Sequence, residues 1–435
     1  MEKKQEKLTR EMALEYHLGG KIGLSLMKSL SDEIDLSLAY TPGVAEPCRE
    51  IENNPESVYT YTSKGNTVAV VTDGTAVLGL GDIGPLASIP VMEGKSVLFK
   101  AFADVDSWPV PLCGTRIDGD YGRSDPDSFV ETVAHLSVMY GGINIEDVAA
   151  PECFEIEDRL RELLDIPVFH DDQHGTAIIS LAGLKNYLLL TGKKIDEIKI
   201  VISGGGAAGI RIGELFRYAG AETIIMCDSR GVIHNERENL TIQKSQFAVH
   251  TECRNLGDAM KGADVFIGVS KPGVATPDMI ADMAPEPAVF AMANPVPEIM
   301  PEEIETARSD AYIATGRSDY PNQINNVLGF PFIFRGALDV RATDITMNMK
   351  IACSEALAGL AREKVPEYIC DAYGGINMEF GRSYLIPKPF DTRVFVRASG
   401  AVAEAAMQDG VAKNPVDIAS YYEELEKKST ELMKR

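Results

Sequence analysis

The stretch from Lys199 to Asp228 constrains the fold more than any other. An apolar strand pattern, Lys199–Ser203, runs directly into Gly204-Gly205-Gly206-Ala207-Ala208-Gly209. A helix pattern follows from Ile210 to Tyr218, and a second strand pattern, Thr223–Cys227, ends on Asp228. A strand, a Gly-x-Gly-x-x-Gly turn, a helix and a strand closing on an acid form the unit that cradles a dinucleotide. The glycines at 204, 206 and 209 serve the tight turn, the approach of the pyrophosphate and helix–strand packing; the helix start at Ala207-Ala208 adds amide donors and a dipole. Glycines alone would equally suit a helix start with no ligand, so the argument rests on the whole unit. Asp228 stands where an acid bonds the ribose hydroxyls of NAD, while Ser229 and Arg230 beside it suit the 2′-phosphate of NADP. Both cofactors stay open.

Around this unit the chain alternates strand and helix. Strand patterns lie at Pro167–Phe169, Lys199–Ser203, Thr223–Cys227, Asp264–Val269, Ala288–Ala291 and Ala311–Ala314. That rhythm predicts an α/β fold with a Rossmann-like, doubly wound parallel sheet. Upstream, Val68–Thr72 and Ser96–Phe102 read as strands, and residues 105–126, rich in Pro, Gly and Asp, as an exposed loop. Helix patterns at Asp127–Met139 and Glu152–Leu164 flank a short strand, Gly141–Asp147, that ends in two acids. Residues 1–40 read as helices broken at Gly19-Gly20; after Leu338 the pattern is helical again, over Asp344–Arg362, Arg393–Met407 and Pro415–Lys434. The expected division is an N-terminal α/β substrate unit (1–165), a dinucleotide unit (166–342) and C-terminal helices packing on both (343–435). A length of 435 residues suits two or three domains.

The formal net charge of −23 disfavours nucleic acid, whose phosphates would be repelled. No run of about 18 apolar residues exists to span a membrane. Met1 to Arg10 is polar and carries glutamates, unlike a leader or transit segment. Seven cysteines without a Cys-x-x-Cys pair read as reduced thiols of a cytoplasmic protein.

Two acid pairs, Glu146-Asp147 and Asp171-Asp172, each sit where a strand pattern ends. Neighbouring carboxylates repel, and Mg²⁺ or Mn²⁺ bound through oxygen relieves that. The competing reading is that they cap the helices that follow. His170 and His174 flank the second pair, and hydrogen bonding to a carboxylate explains them better than metal ligation. Tyr40 and Lys95 are candidates for proton transfer, though on residues alone they read as a half-buried tyrosine and a surface lysine. Asn294, Asn325 and Asn326, in tight-turn contexts, suit either turns or the recognition of carboxylate and nicotinamide groups.

In order along the chain, Leu38-Ala39-Tyr40-Thr41-Pro42-Gly43-Val44-Ala45, Asp73 to Asp82, Pro90 to Lys95, Asn144 to Asp147, Phe169 to Thr176 and Thr315 to Gln323 resemble the blocks of the malic enzymes, in their short bacterial and archaeal form. The resemblance implies oxidative decarboxylation of L-malate to pyruvate and CO₂ with reduction of NAD or NADP, dependent on Mg²⁺ or Mn²⁺, by a homodimer. Carried over by position, it implies Tyr40 as general acid, Lys95 as general base and Asp171 as its support. Glu146, Asp147 and Asp172 become metal ligands, Asn294 and Asn326 substrate contacts, and Asn325 a cofactor contact beside the glycine loop. Ala76 stands where the long eukaryotic-type enzymes carry an arginine for the substrate carboxylate. The expectation is the short form without a phosphotransacetylase-like extension after Arg435. Rival readings are a related 2-hydroxy acid dehydrogenase or oxaloacetate decarboxylase, and a regulatory protein that binds dinucleotide and dicarboxylate without turnover.

Overall fold

A computed structural model describes residues 9–117 and 122–432, so the first eight residues and part of the expected 105–126 loop lie outside the described residues, as do residues 433–434 of the last expected helix. The chain opens with two short helices, α1 (Arg10–Tyr16) and α2 (Glu33–Ala39), neither of which buries a residue.

The first sheet gathers β1 (Thr67–Thr72), β2 (Asp106–Pro111), β3 (Gly142–Ile145) and β4 (Val168–His170) in the order β2-β1-β3-β4, all parallel. Between β1 and β2 runs α3 (Gly84–Ala103), a 20-residue helix where a strand over Ser96–Phe102 is the sequence expectation. Its buried residues Ser88, Met92, Ser96, Phe99 and Ala103 recur every three or four positions. The apolar run Val97-Leu98-Phe99 is therefore one turn of a helical stripe, and a short run of that kind does not distinguish the two periods. Within the expected loop, Asp106–Pro111 forms β2 at the sheet edge, where its prolines cost no ladder bond in the interior. Helices α4 (Pro126–Leu136) and α5 (Glu152–Leu163) connect the later strands, and α5 is followed by β4 and then α6 (Asp171–Thr191), mostly buried along its length.

Pairing of β4 with β3 carries a correction. The strand at Pro167–Phe169, expected to open the dinucleotide unit beyond Ile166, closes the first sheet instead. Adjacency in sequence to the later strands concealed a partner that only the folded chain supplies.

The second sheet orders β10 (Tyr312–Thr315), β9 (Ala288–Ala291), β8 (Val265–Gly268), β5 (Lys199–Ser203), β6 (Thr223–Asp228) and β7 (Gly231–Val232) in that sequence. All neighbours are parallel except β6 and β7. The chain runs from β5 outward to β6, then crosses back to β8 on the other side of β5, so β5 lies at the switch point where such sheets bind ligands. The helix α7 (Ala207–Tyr218) leaves β5 through the glycine loop. A Cβ at Gly209 would stand 1.7 Å from the Gly204 carbonyl oxygen, so no larger residue fits this close helix–strand approach.

The longer helices after β10 are α8 (Phe330–Asp339), α9 (Met347–Arg362), α10 (Arg393–Gln408) and α11 (Ile418–Leu432). Helix α9 packs on α6 and on α10, which ties the C-terminal segment to the helix that begins at the acids. Among the described residues no helix is long and apolar enough to cross a membrane, and none of the seven cysteines forms a disulfide.

Candidate active site

Parallel register brings the two acid pairs together. Ile145, the last residue of β3, pairs with His170, the last of β4, so Glu146-Asp147 and Asp171-Asp172 leave the same edge of the sheet side by side. The acids are not helix caps: His170 and Pro151 occupy the N-cap positions of α6 and α5, and neither helix has a side-chain cap. The Asp147 amide donates to Asp172 Oδ2 at 2.7 Å. Asp147 itself adopts φ 55°, a left-handed conformation costing about 1–3 kcal/mol for a residue with a Cβ. It is held there by Ala76 N–H on its carbonyl, 2.9 Å, and Leu78 N–H on Oδ1, 3.3 Å.

Lys95 reaches into this cluster from α3. Its Nζ lies 2.7 Å from Glu146 Oε1 and 2.5 Å from Asp171 Oδ2, with the Phe330 ring 4.2 Å away. Burial by itself disfavours the ammonium, but Asp171, Glu146 and Asp172 outweigh it and hold Lys95 above the ordinary lysine value. Burial pushes Glu146 well above the carboxylate range, and burial together with Asp172 pushes Asp147 to about 7. Asn326 donates to Asp171 Oδ2 at 3.2 Å and accepts from Thr176 at 2.8 Å. Gly175 makes that possible, because a Cβ there would sit 2.2 Å from Asp171 Oδ1 and 2.9 Å from Asn326 Cγ.

Oxygen donors of this kind suit a hard divalent cation. Two of the oxygens, Asp147 Oδ2 and Asp171 Oδ1, are buried without a hydrogen-bond partner, and the acids' mutual repulsion is what a cation relieves. Among the described residues no three side chains are already gathered around a ready cation position; the Lys95 ammonium stands between Glu146 and Asp171. The chemistry of the donor set fits such an ion.

Several partners here carry no local sequence signal. Asn144 donates to Glu146 Oε2 at 2.9 Å. A buried relay runs from α7 to the acids: Arg211 Nε donates to Gln173 Oε1 at 2.7 Å, Gln173 Nε2 to His170 Nδ1 at 2.6 Å, and His170 Nε2 to Asp172 Oδ2 at 3.2 Å. A guanidinium only donates, so it fixes the Gln173 amide orientation. With Gln173 so oriented, His170 Nδ1 accepts and the Nε2 proton faces Asp172. His174 turns away from the acid pair and meets Glu157 at 2.8 Å. Both histidines hold carboxylates, but different ones.

Beside the cluster, a cleft of about 560 Å³ is lined by Ala150, Gly204, Gly206, Asp228, Ser229 and Lys244. Ala150 and Pro151, just downstream of Asp147 in the chain, line this cleft together with the glycine loop. Asp228 is not free for ribose hydroxyls. Arg237 grips it with two bonds of 2.9 Å, Lys244 Nζ donates at 2.8 Å, and the Arg230 amide at 2.9 Å. Burial opposes its charge, but these donors outweigh burial and hold Asp228 well below the ordinary carboxylate range. Ser229 and Arg230 are exposed at the rim. Asn294 is exposed after β9, and the Asn325 side chain accepts from the Val327 amide at 3.0 Å. Tyr40 is not brought to the cluster: it is 70% exposed on the N-terminal segment.

Residues 19–161 match the family model for the malic enzyme N-terminal domain, and residues 173–370 that for the malic enzyme NAD binding domain. The chain belongs to the malic enzyme family. The NADP-dependent malic enzyme of Halomonas elongata is 53% identical, over 93% of this chain and 95% of its own length. The NADP-dependent malic enzyme of Rhizobium meliloti is 52% identical over 96% of this chain, which spans 55% of that longer protein. Among solved structures, the malic enzyme of Pyrococcus horikoshii Ot3 superposes with a TM-score of 0.86 at 43% identity, covering 98% of this chain and 96% of that one. The malic enzyme fold and its NAD-binding unit thus agree with the expectation from the sequence.

Proposed function

We propose that this chain is a malic enzyme in activity as well as family, converting L-malate to pyruvate and CO₂ with reduction of a nicotinamide dinucleotide. The observation that carries the reading is Lys95, held by Glu146 and Asp171 at the ends of β3 and β4, with Ala150 a few residues downstream lining the dinucleotide cleft. Glu146, Asp147 and Asp172 would hold Mg²⁺ or Mn²⁺, which supplies Lewis-acid polarisation of the malate 2-hydroxyl and stabilises the enolate left by loss of CO₂. Lys95 accepts the C2 hydroxyl proton as hydride passes to the nicotinamide, and Asp171 receives the resulting ammonium as its ion pair. Asn326 keeps Asp171 aimed at Lys95, Asn294 meets substrate, and Asn325 and the 204–209 loop meet the dinucleotide. Tyr40 protonates C3 of the enol, completing pyruvate.

The cleft favours NADP. Asp228 would repel a 2′-phosphate if it were free, but two cations neutralise it and a third, Arg230, stands at the rim. The homodimer and a cytoplasmic location complete the proposal, the latter supported by seven unpaired cysteines.

The deciding experiment follows reduced-nicotinamide absorbance with L-malate and Mn²⁺, using NAD and NADP separately, with and without chelator. Chelator-sensitive reduction, faster with NADP, is the expected result. Folded protein that reduces neither cofactor would refute the catalytic reading and favour binding without turnover.

A further inference from the structure

The ends of β5, β8, β9 and β10 leave the second sheet on the edge that carries the glycine loop, because these strands run parallel. A carboxylate is buried among them. Glu298, on the turn after β9, is 0% exposed, and among the described residues no cation pairs with it. A carboxylate kept from water without a counter-ion is costly unless hydrogen bonds replace the lost hydration. Here backbone amides do so. Glu298 Oε1 accepts from the Ser270 amide at 2.6 Å and Oε2 from the Ala293 amide at 3.0 Å. Burial raises its carboxyl above the ordinary value, and these amides pull against that rise.

Each amide belongs to a turn at the edge of the site. Ser270 follows β8, lines the dinucleotide cleft, and shares a hydrogen bond of 3.0 Å with Ser203, the residue before the glycine loop. Ala293 precedes Asn294, whose side chain is exposed beyond the end of β9. Opposite Asn294 stands Gly316, just after β10; a Cβ there would come 3.0 Å from Asn294 Nδ2 and 3.2 Å from Oδ1. The side-chain amide thus has a close wall on one side, while Glu298 fixes the peptide that carries it. Glu298 needs room of the same kind. A Cβ on Gly268, the last residue of β8, would stand 2.4 Å from Glu298 Cδ. The carboxylate is too deeply buried to touch a ligand, so any effect it has on one passes through these turns.

We propose that Glu298 is a positioning residue for substrate recognition: anchored on the Ser270 turn, it holds the Ala293–Asn294 peptide so that the Asn294 amide is aimed at a carboxylate of malate. The inference rests on the catalytic reading above, in which Asn294 meets substrate, and adds what aims it. Hydrogen-bond chemistry accounts for the choice of an acid. Two converging N–H groups need two acceptors, and a carboxylate supplies both from one side chain. A glutamine of the same shape offers one oxygen and one NH₂, which would set a donor against one of the backbone amides.

A double-mutant cycle on steady-state kinetics, with L-malate, Mn²⁺ and saturating NADP, tests this. Asn294→Ala is expected to lower kcat/KM for malate by roughly 10- to 100-fold, and Glu298→Gln by about tenfold, mainly through a higher KM. The double variant should match Asn294→Ala within about twofold, because the aim of an absent amide cannot matter. Losses that multiply would mean that Glu298 acts independently of Asn294, and overturn the proposal. A wild-type KM in Glu298→Gln also overturns it. So does wild-type kcat/KM in Asn294→Ala, which takes Asn294 away from the substrate while the Lys95 reading stands. Gly268→Ala carries the test if Glu298→Gln does not fold, since its methyl group displaces the carboxylate without altering it. The same rise in KM is expected there, and its absence overturns the inference. Folded wild-type protein that reduces neither cofactor refutes the catalytic reading itself, before any variant is compared.

Discussion

Lys95 is a poor base as it stands, because three carboxylates favour its proton. Its role in catalysis requires those carboxylates to be engaged elsewhere, and Glu146 and Asp172 are among the groups assigned to the cation. Lys95→Ala should therefore lower kcat/KM for malate by at least about 100-fold while the dissociation constant for NADP, measured by calorimetry, hardly changes. Near-normal turnover would take Lys95 out of the mechanism. At the other end of the cleft, Lys244 neutralises Asp228, and under the proposed NADP reading it would also meet the 2′-phosphate. A charged hydrogen bond contributes about 1.5–3 kcal/mol, so Lys244→Gln should reduce the NADP-to-NAD ratio of kcat/KM by roughly 10- to 100-fold. An unchanged ratio would assign cofactor choice to other residues. Both pairs of partners are remote in sequence, and that decided what could be read there. The glycine loop is a local signal and was legible from its own spacing, whereas Asp228 looked available because Arg237 and Lys244 lie 9 and 16 positions away.

At the level of elements, the informative object is α6. Its first turn carries Asp171 and Asp172, and its next residue, Gln173, links α7 of the dinucleotide unit to the acids. The relay fixes the proton of His170 on the nitrogen facing Asp172, so the carboxylate is oriented before any cation arrives. Outer partners of this kind typically contribute 10- to 100-fold in metal affinity. Gln173→Leu should raise the Mn²⁺ concentration needed for half-maximal activity by about that factor, with maximal rate at saturating Mn²⁺ much less affected. A change confined to maximal rate would mean that the relay does not position the ligand. Strand identity was harder to read than strand existence. The β4 pattern was visible, but only pairing with β3 assigns it to the first sheet. The α3 pattern misled because Val97-Leu98-Phe99 satisfies either period over so short a run. Convergence of the acids was suggested by resemblance alone, since register between β3 and β4 is what brings them together.

Across the whole molecule, the C-terminal helices meet α6 through a buried charge. Lys350 on α9 lies 3.1 Å from His174 Nδ1 on α6, and His174 meets Glu157 on α5. Burial lowers Lys350 to about 8, against the pull of Glu157, and burial lowers His174 to about 3. The sign of the consequence follows from the lysine. Its folded pKa is below the unfolded value near 10.4, so between about pH 8 and 10.4 the unfolded chain binds more protons. Folding then strengthens as pH rises through that window, because the cost of keeping a buried ammonium disappears. Below pH 8 the cost is fully present. Lys350→Met removes the titration, so denaturant unfolding of the two proteins should show the variant's advantage shrinking, or its deficit growing, by up to about 3 kcal/mol from pH 8 to 10.4. Parallel stability curves would mean that Lys350 titrates in the folded protein as it does in the unfolded chain, so that burial does not disfavour its charge.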